Sequence, residues 1–345
     1  HYMSDIISEW VIFNLDGKII NKVDLPGPGI SYGFNGDKDQ SVSWYRFESL
    51  VHPPTVFTYN FKNDSSIIYY ESKARFDKNK YIMKQKFYYS KDGTKIPIFI
   101  AHNKDLVLDG RRPTLLYGYG GFNISQKPYF NKTIPVILEN GGVYALSNIR
   151  GGGEYGQKWH EAGMLDEKQN VFDDFISGAQ YLITEGYTSP DRLAIRGGSN
   201  GGTLIGAVIN QKPNLFRVAF PEVGVMDMLR YEKFTIGWAW AVEFGSVNNE
   251  NDFENLLTYS PLHNIQSMTY PSVLVYTADH DDRVVPAHSY KYIAKLQNHQ
   301  ISDEDPVLIR IGTSTGHGAG RSTKKRIKEY AEKWAFMFYE MGVDI

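Results

Sequence analysis

The sequence predicts an α/β protein with a mostly parallel, doubly wound sheet, preceded by a small region of β-structure. After about residue 80, short apolar runs alternate with segments of helical periodicity, which is typical of a parallel sheet covered on both faces. Before that point, strand-like runs are separated by turn residues. The 345 residues also suffice for about two domains. We therefore predict one domain over residues 1–75 and another over residues 76–345.

Residues 1–75 are predicted to form antiparallel hairpins. Alternating β-branched and aromatic residues lie between Asn, Asp and Gly turns in these runs: Trp10–Asn14, Val42–Phe47, Thr55–Phe61 and Ile67–Ser72. One or two sheets of this size are marginally stable alone. We therefore expect this region to be the end of a larger repetitive β-structure of which only this end is present.

The second region alternates predicted strands with predicted helices. The apolar runs that predict strands are Lys95–Ile100, Pro113–Tyr117, Val143–Asn148, Leu193–Arg196, Val273–Thr277 and Val307–Ile311. Helical spacing predicts helices over Val171–Thr184 and Arg321–Met341. In the second helix, we expect Ile327 on the apolar face and Lys333 on the polar face. In such sheets, chemistry occurs beyond the carboxyl ends of the strands.

The composition excludes several classes of partner. A net charge of −2 gives no field that would gather nucleic acid or an anionic membrane. No apolar run reaches the ~18 residues that span a bilayer, and residues 1–8 lack the features of a secretory signal. Cysteine is absent, which excludes thiol chemistry but fits reducing and oxidising compartments alike. We expect a cytoplasmic protein, with the periplasm as the alternative if a signal precedes this chain.

An apolar strand, a glycine-rich corner and an apolar helix follow one another over residues 193–209. At their centre, Gly197-Gly-Ser199-Asn-Gly201 fits G-x-S-x-G, the turn that presents a nucleophilic serine in α/β-hydrolases. Glycines flank the serine because the backbones of strand and helix come too close there for side chains. We therefore predict Ser199 as the nucleophile and the backbone N–H of Asn200 as a donor to the oxyanion.

A serine nucleophile needs a base and an orienting carboxylate, which α/β-hydrolases supply downstream in the order acid, then histidine. His317 lies between glycines after the last predicted strand and is the predicted base. The preceding strand is followed by Asp279, Asp281 and Asp282, and the pattern does not choose between these acids. His280 adjoins them in sequence, and we interpret it as structural.

Two further patterns could indicate a cofactor or metal site. Gly151–Gly156 matches G-x-G-x-x-G, and Asp173 lies 20 residues after Gly153. A dinucleotide site needs that acid at the end of a strand, whereas Asp173 lies in a predicted helix. The segment His160–Glu167 lacks the spacing of metal ligands and is predicted to be a solvated face. We therefore expect neither a cofactor nor a metal.

Six different characteristic motifs occur between Tyr88 and the last predicted helix. They are Leu116-Tyr-Gly-Tyr119-Gly-Gly-Phe122, Asn148-Ile-Arg-Gly-Gly-Gly-Glu-Tyr-Gly156, Gly197-Gly-Ser199-Asn-Gly-Gly202, Val223-Gly-Val225-Met-Asp-Met228, Thr277-Ala-Asp-His-Asp281-Asp-Arg283-Val-Val-Pro286 and Gly316-His317-Gly-Ala-Gly320. In this order they closely resemble the prolyl oligopeptidase family. The resemblance implies an α/β-hydrolase domain, and residues 1–75 resemble the end of the β-propeller that caps it.

The resemblance implies roles for individual polar residues. Asp281 would be the acid of the catalytic triad, which selects one of the three candidates. Tyr119 would donate its hydroxyl to the oxyanion, together with the N–H of Asn200. Arg283 would donate to a backbone carbonyl of the substrate.

The resemblance also implies an apolar pocket for a proline ring, which offers neither charge nor donor. Trp240 would stack on that ring. The remaining walls would be Phe122, Val225, Ile236, Phe244 and Val284. Phe244 departs from the family pattern, in which tyrosine is usual, so we expect one hydrogen bond to be absent. Trp238 also differs from the pattern.

The implied activity is that of a serine endopeptidase that cleaves after proline in short peptides through an acyl-enzyme. Its partners would be proline-containing peptides, together with the remaining propeller blades and amino-terminal segment of its own polypeptide. One alternative is a relative that prefers basic or acylated residues, although a basic-selective pocket needs carboxylates where this chain has Trp240 and Phe122. Another alternative is an incomplete, inactive fragment that serves as a binding module.

Overall fold

The computed structural model describes residues 1–344 and consists of two compact units. The β unit comprises His1–Lys86, Phe99–Leu106 and Lys127–Gly141. The α/β unit comprises Phe87–Ile98, Val107–Gln126 and the chain from Gly142 onward. Chain segments therefore alternate between the units, and a domain boundary at residue 75 stays a prediction.

Three antiparallel sheets occupy the first part of the β unit. Their strands are β1 (Tyr2–Ser4), β2 (Ile7–Glu9), β3 (Val11–Phe13), β4 (Ile19–Lys22), β5 (Ile30–Asn35), β6 (Val42–Ser49), β7 (His52–Asn60) and β8 (Ser65–Glu71). β1 pairs with β2, β3 pairs with β4, and β5 to β8 form a four-stranded sheet in sequence order. The unit also contains a short helix, α1 (Ile134–Glu139). All four predicted strands are present.

The four-stranded sheet is held by an aromatic core. Tyr45 and Phe47 alternate with exposed residues along β6, and Phe57 and Tyr59 alternate with partly exposed residues along β7. The rings of Tyr45 and Phe57 stack with their centroids 5.0 Å apart. This alternation is the period-two pattern of a sheet with one buried face. It explains why the hairpins could be predicted from the sequence.

An eight-stranded sheet carries the candidate site. Its strands are β9 (Tyr81–Tyr89), β10 (Lys95–Asn103), β11 (Thr114–Tyr117), β12 (Val143–Ser147), β13 (Leu193–Gly198), β14 (Val218–Glu222), β15 (Ser272–Ala278) and β16 (Val307–Gly312). Their order is β16-β15-β14-β13-β11-β12-β10-β9, and the pairs among β11 to β16 are parallel. The six predicted strands are confirmed, whereas β9 and β14 were not predicted.

Helices follow most of these strands, as the alternation predicts. They are α2 (Gln157–Glu161), α3 (Gln169–Thr184), α4 (Asn200–Gln211), α5 (Ala241–Phe244), α6 (Glu250–Tyr259), α7 (Ala287–His299) and α8 (Thr323–Glu340). Short 3₁₀ turns occur at Lys78–Lys80, Leu165–Lys168, Pro190–Arg192, Pro213–Leu215, Tyr231–Lys233 and Gly237–Trp240. Within residues 1–344, no helix has both the length and the apolar character needed to cross a bilayer.

The burial of two residues in helix α8 differs from the prediction. Ile327 is 65% exposed and Lys333 is 2% exposed, which reverses the expected faces. Lys333 Nζ lies 2.7 Å from Glu222 Oε1 and 2.7 Å from Glu329 Oε1. Although burial acts to raise it, Arg196 and Lys333 together lower the pKa of Glu222 to about 2. The lysine can be buried because these carboxylates compensate its charge.

Candidate active site

The turn after β13 presents Ser199 at the start of α4. Ser199 has a φ of +58°, which is unusual for a residue with a side chain. A Cβ at Gly197 would lie 2.3 Å from Gly201 O, so the crossing of strand and helix requires glycine. The N–H of Ser199 donates to Glu222 O at 2.9 Å. A strained residue between a strand and a helix is the geometry of the predicted nucleophile turn.

His317 lies on the loop after β16, residues 313–320, which we call the histidine loop. His317 Nδ1 lies 2.6 Å from Asp281 Oδ2, and both side chains are largely buried. Asp281 Oδ1 accepts the backbone N–H groups of Arg283 at 3.1 Å and Val284 at 2.9 Å. The backbone thus orients one carboxylate oxygen while the other binds the histidine.

The other two candidate acids have different surroundings. Asp279 Oδ1 lies 2.7 Å from His280 Nδ1, and the carboxylate accepts two backbone N–H groups of the histidine loop. Asp282 is exposed. Asp281 is therefore the acid that the structure brings into contact with His317.

Tyr119 follows β11, and the Ser199 side chain is near enough to oppose part of the rise in the pKa of its hydroxyl. Burial raises the pKa of Tyr119 to about 12, with smaller contributions from Tyr117 and Glu243. The phenol is therefore protonated at neutral pH and can act as a donor. Asn200 is the first residue of α4, where backbone N–H groups lack intrahelical acceptors. Its side-chain amide donates to Tyr119 O at 2.6 Å.

A cluster of four rings, Phe122, Tyr231, Trp240 and Phe244, includes three of the predicted pocket residues. Phe244 meets Phe122 edge to face at 5.5 Å and Tyr231 at 5.6 Å between ring centroids. Tyr231 stacks on Trp240 at 6.3 Å. Phe244 is fully buried, so it supports the more exposed rings instead of presenting its own face. Tyr231, which no sequence motif singled out, connects the others.

The remaining predicted pocket residues lie on other segments of the α/β unit. Val225 is buried, and its N–H donates to a threonine hydroxyl of α4 at 3.0 Å. Val284 is buried next to the acid. Ile236 is 46% exposed, and its neighbour Thr235 donates through Oγ1 to Arg283 O at 3.3 Å. The structure therefore places Val225 against α4. The segment that contains Ile236 contacts the segment of Arg283, whose side chain is exposed.

A buried charged cluster in this unit was not predicted. Glu243 lies 2.7 Å from His160 Nε2 through Oε2 and 3.0 Å from Lys168 Nζ through Oε1. The expectation of a solvated face over His160–Glu167 is therefore wrong at its first residue. No local pattern signals the cluster, because Glu243 lies 75 residues after Lys168 and 83 after His160. Across residues 1–344, no three His, Cys, Asp or Glu side chains are grouped as metal ligands would be.

The parallel sheet, the strained serine at the start of α4, and the acid and histidine after β15 and β16 define the fold as an α/β-hydrolase. A model of the prolyl oligopeptidase family matches residues 128–344. A model of the N-terminal β-propeller domain of prolyl oligopeptidase matches residues 1–72. The chain therefore belongs to the prolyl oligopeptidase family.

Similar proteins extend over nearly the whole chain. The prolyl endopeptidase of Elizabethkingia miricola is 49% identical over 344 residues, which are 99% of this chain and 49% of that protein. That of Dictyostelium discoideum is 44% identical over 352 residues, covering 100% of this chain and 46% of that protein. The chain thus spans about half the length of the curated relatives it matches.

Solved structures of this family superpose closely. One structure from a study of two prolyl endopeptidases gives a TM-score of 0.92 at 42% identity and covers 99% of this chain and 51% of that chain. Ligand-free prolyl oligopeptidase B of Galerina marginata gives a TM-score of 0.91 at 34% identity, covering 99% and 48%. The likeness therefore includes both the sheets of the β unit and the hydrolase fold.

Proposed function

We propose that the protein carrying this chain is a serine endopeptidase that hydrolyses peptide bonds on the carboxyl side of proline in short peptides. The observation that carries the proposal is the 2.6 Å contact between His317 Nδ1 and Asp281 Oδ2, in the unit where the strained Ser199 precedes α4. Family membership and relatives named prolyl endopeptidase support the preference for proline.

In the proposed reaction, His317 Nε2 accepts the Ser199 proton while Ser199 Oγ attacks the carbonyl carbon of the scissile bond. Asp281 accepts the Nδ1–H of the ring and stabilises the imidazolium that forms. The imidazolium then gives its proton to the departing amine, which leaves an ester on Ser199. Water, deprotonated by His317, attacks this ester, and the proton returns to Ser199 as the peptide acid leaves.

Each tetrahedral intermediate carries negative charge on the former carbonyl oxygen. The proposed donors to this oxygen are the backbone N–H of Asn200 and the hydroxyl of Tyr119. The pKa of Tyr119, raised to about 12, supports this role because a neutral phenol can donate across the physiological range. The N-terminus of α4 adds a favourable dipole at the same place.

The proposed specificity pocket recognises proline by apolar contact. Trp240 would stack on the proline ring, and Phe122 would supply a second aromatic wall. The remaining proposed lining is Val225, Ile236 and Val284, and the fully buried Phe244 is proposed to support the aromatic walls from behind. Arg283, exposed beside the acid, is proposed to donate to a backbone carbonyl of the substrate.

Ser199→Ala tests the proposed mechanism. We expect kcat for a peptide reporter with proline before the scissile bond to fall by at least about 10,000-fold, because no acyl-enzyme can form. Thermal unfolding should be unchanged. Ser302→Ala is the control, since this loop serine lies outside the site and should leave turnover intact. Unchanged turnover of the Ser199→Ala variant would contradict the proposal.

Two measurements separate the alternatives. Reporters with proline or arginine before the same leaving group distinguish a prolyl from a basic-selective peptidase, and we expect the prolyl reporter to be preferred by about 100-fold or more. An organophosphonate that reacts at Ser199 distinguishes an active triad from a binding module. Preference for arginine, or no labelling, would favour the corresponding alternative.

We further propose that residues 1–75 are the end of a β-propeller and residues 76–345 the peptidase domain. The match of the propeller model to residues 1–72 supports the first part. The remaining blades and an amino-terminal segment are proposed to belong to the same protein. The proposed compartment is the cytoplasm, with the periplasm as the alternative, and cell fractionation distinguishes them.

A further inference from the structure

Neighbouring side chains tightly enclose the backbone on both sides of Tyr119, residues 118–123, which we call the oxyanion loop. A Cβ added at Gly120 would lie 2.4 Å from Val171 Cγ1. Phe122 has a φ of +56°, a conformation that costs free energy in a residue with a side chain. The surroundings must therefore enforce the shape of this loop.

Two side-chain donors hold successive carbonyl groups of the oxyanion loop. Asn200 Nδ2 donates to Tyr119 O at 2.6 Å, and Lys168 Nζ donates to Gly120 O at 3.1 Å. Each carbonyl belongs to one peptide plane. The two donors together therefore fix the backbone that immediately follows the tyrosine.

Lys168 is an unusual donor because its ammonium group is buried. Its side chain is 1% exposed, and the side chain of Glu243, whose Oε1 lies 3.0 Å from Nζ, is 2% exposed. Burial lowers the pKa of Lys168, and the Glu243 carboxylate opposes this shift. Glu243 Oε2 has a further partner, His160 Nε2, at 2.7 Å. Burying charges is costly, and apolar side chains would serve stability as well, so a further role is indicated.

The position of Glu243 suggests what that role is. Glu243 belongs to α5 and lies in sequence between Trp240 and Phe244, two rings of the proposed pocket. Lys168 Nζ also lies 5.2 Å from the centroid of the Phe244 ring. One buried ion pair therefore connects the segment of the pocket with the oxyanion loop.

We infer that Lys168 and Glu243 are positioning residues of the oxyanion hole, which hold the Gly120 carbonyl and thereby aim the Tyr119 hydroxyl at the transition-state oxygen. The inference rests on the proposed function, in which Tyr119 donates to that oxygen. Both side chains are buried and act through the tyrosine. Their contribution should therefore appear in kcat and not in ground-state binding.

Variants of the intact protein test this inference. Lys168→Met keeps an unbranched side chain as far as the ε position and removes the ammonium group, and with it the hydrogen bond to Gly120 O. Lys168→Met/Glu243→Gln also removes the carboxylate charge that the first variant leaves buried, so it separates positioning from charge compensation. Lys295→Met is the matched control, because Lys295 Nζ also donates to a backbone carbonyl, Leu262 O at 3.1 Å, outside the site.

The readouts distinguish transition-state from ground-state effects. A prolyl reporter gives kcat and KM. Two matched peptide ligands, one ending in prolinal and one in prolinol, give binding affinities. Only the aldehyde of prolinal forms an oxyanion with Ser199. We expect both Lys168 variants to lower kcat by about 10- to 100-fold, with KM within about threefold. They should weaken prolinal binding by a similar factor and leave prolinol binding unchanged. Lys295→Met should match the wild type.

Every outcome bears on the inference. Recovery of wild-type kcat in the double variant would overturn it, because the pair would then only compensate charge. Equal weakening of prolinal and prolinol would also overturn it, since that result indicates a collapsed pocket. If Lys168→Met does not fold, kcat and prolinal binding of the double variant decide whether the inference holds.

The proposed function can fail separately. In that case the wild type would leave the prolyl reporter intact, and the inference would be decided by the rate at which a fluorophosphonate labels Ser199. This labelling needs the oxyanion hole but no proline. Slower labelling in the Lys168 variants supports the inference, and an unchanged rate overturns it.

Discussion

The oxyanion loop and the histidine loop carry groups that act on the same bond in the proposed reaction, yet their surroundings differ. An added Cβ at Gly120 would lie 2.4 Å from a valine side chain of α3. An added Cβ at Gly318 would meet no heavy atom within 4 Å, and residues 318–320 are exposed. The first loop is therefore enclosed, and the second is open.

Two carboxyl groups accept backbone N–H groups in or next to these loops, and they differ in exposure. Just past the oxyanion loop, Gln126 donates its N–H to Glu154 Oε1, a buried group, at 2.7 Å. In the histidine loop, Ser314 donates its N–H to Asp279 Oδ2, a partly exposed group, at 3.0 Å. A donor to developing charge benefits from being fixed in advance, because no reorganisation is then needed during the reaction. A base can lie on a more open loop when a carboxylate such as Asp281 orients its ring.

Among variants of the two loops, the largest effect is expected when the enclosed loop loses the hydroxyl of Tyr119. Tyr119→Phe should lower kcat by about 100-fold or more while KM stays within about threefold, because one of two oxyanion donors is removed. Steady-state kinetics on a prolyl reporter measure this split. Tyr339→Phe is the control, since that side chain is 81% exposed. A kcat close to the wild-type value would contradict this prediction, because the enclosed loop would then hold no group that takes part in catalysis.

A pair of glycine substitutions measures how strongly each loop is constrained by its surroundings. Gly120 has a φ of +64° and Gly318 a φ of +121°, so alanine carries a backbone cost at both sites. Only Gly120→Ala adds a contact with α3, so we expect it to lower both the Tm and kcat by clearly more. Gly318→Ala should leave the Tm nearly unchanged and lower kcat/KM by no more than about tenfold.

Calorimetry and kinetics on the two purified variants check this prediction. Equal losses of Tm would show that enclosure does not distinguish the loops. A larger kinetic loss at Gly318 would mean that the histidine loop is the more constrained of the two.

The smallest effects concern the pH dependence of stability. The pKa shifts of Glu154 and Asp279 have opposite directions. Burial raises the pKa of Glu154 from 4.5 to about 7, so the folded state holds a proton that the unfolded state has released. Stability from this group is present below pH 4.5 and is lost as the pH rises to about 7. Glu154→Gln should remove this dependence and raise stability at pH 8 by up to about 3 kcal/mol.

Asp279 provides the contrasting case. Hydrogen bonds from His280 and from the Ser314 N–H lower the pKa of Asp279 from 3.8 to about 2. Its contribution is therefore constant above pH 3.8 and is lost only as the pH falls towards 2. Asp279→Asn should leave the slope of Tm against pH between about 5 and 8 as in the wild type. Denaturation curves over this range check both variants, and a changed slope for Asp279→Asn would contradict the assignment.

Local sequence was sufficient to predict the nucleophile turn and most of the strands. Gly197, Ser199 and Gly201 are near neighbours, so the steric limits that define the turn operate within a few residues. Strands buried on both faces need consecutive apolar side chains, which makes them visible as runs. β14 was missed because Pro221 and Glu222 interrupt its run, although all of its residues are buried.

The candidate site was predictable only in part. Spacing identified His317 but left three acids open, and the resemblance to a family selected Asp281. Contact in the folded chain distinguishes this acid physically, since its oxygen lies 2.6 Å from the histidine ring. The supporting role of Tyr231 had no sequence signal, because an aromatic residue in a loop is compatible with many environments.

The fold class and the strained serine follow from the sequence alone, because they depend on periodicity and on steric limits between near neighbours, and the resemblance of the motifs indicated the family. The pairing of Lys168 with Glu243, and the burial of Lys333 while Ile327 is exposed, depend on the folded chain. Such pairs form where distant segments pack and remove opposite charges from water together. No local pattern encodes that balance between desolvation and attraction.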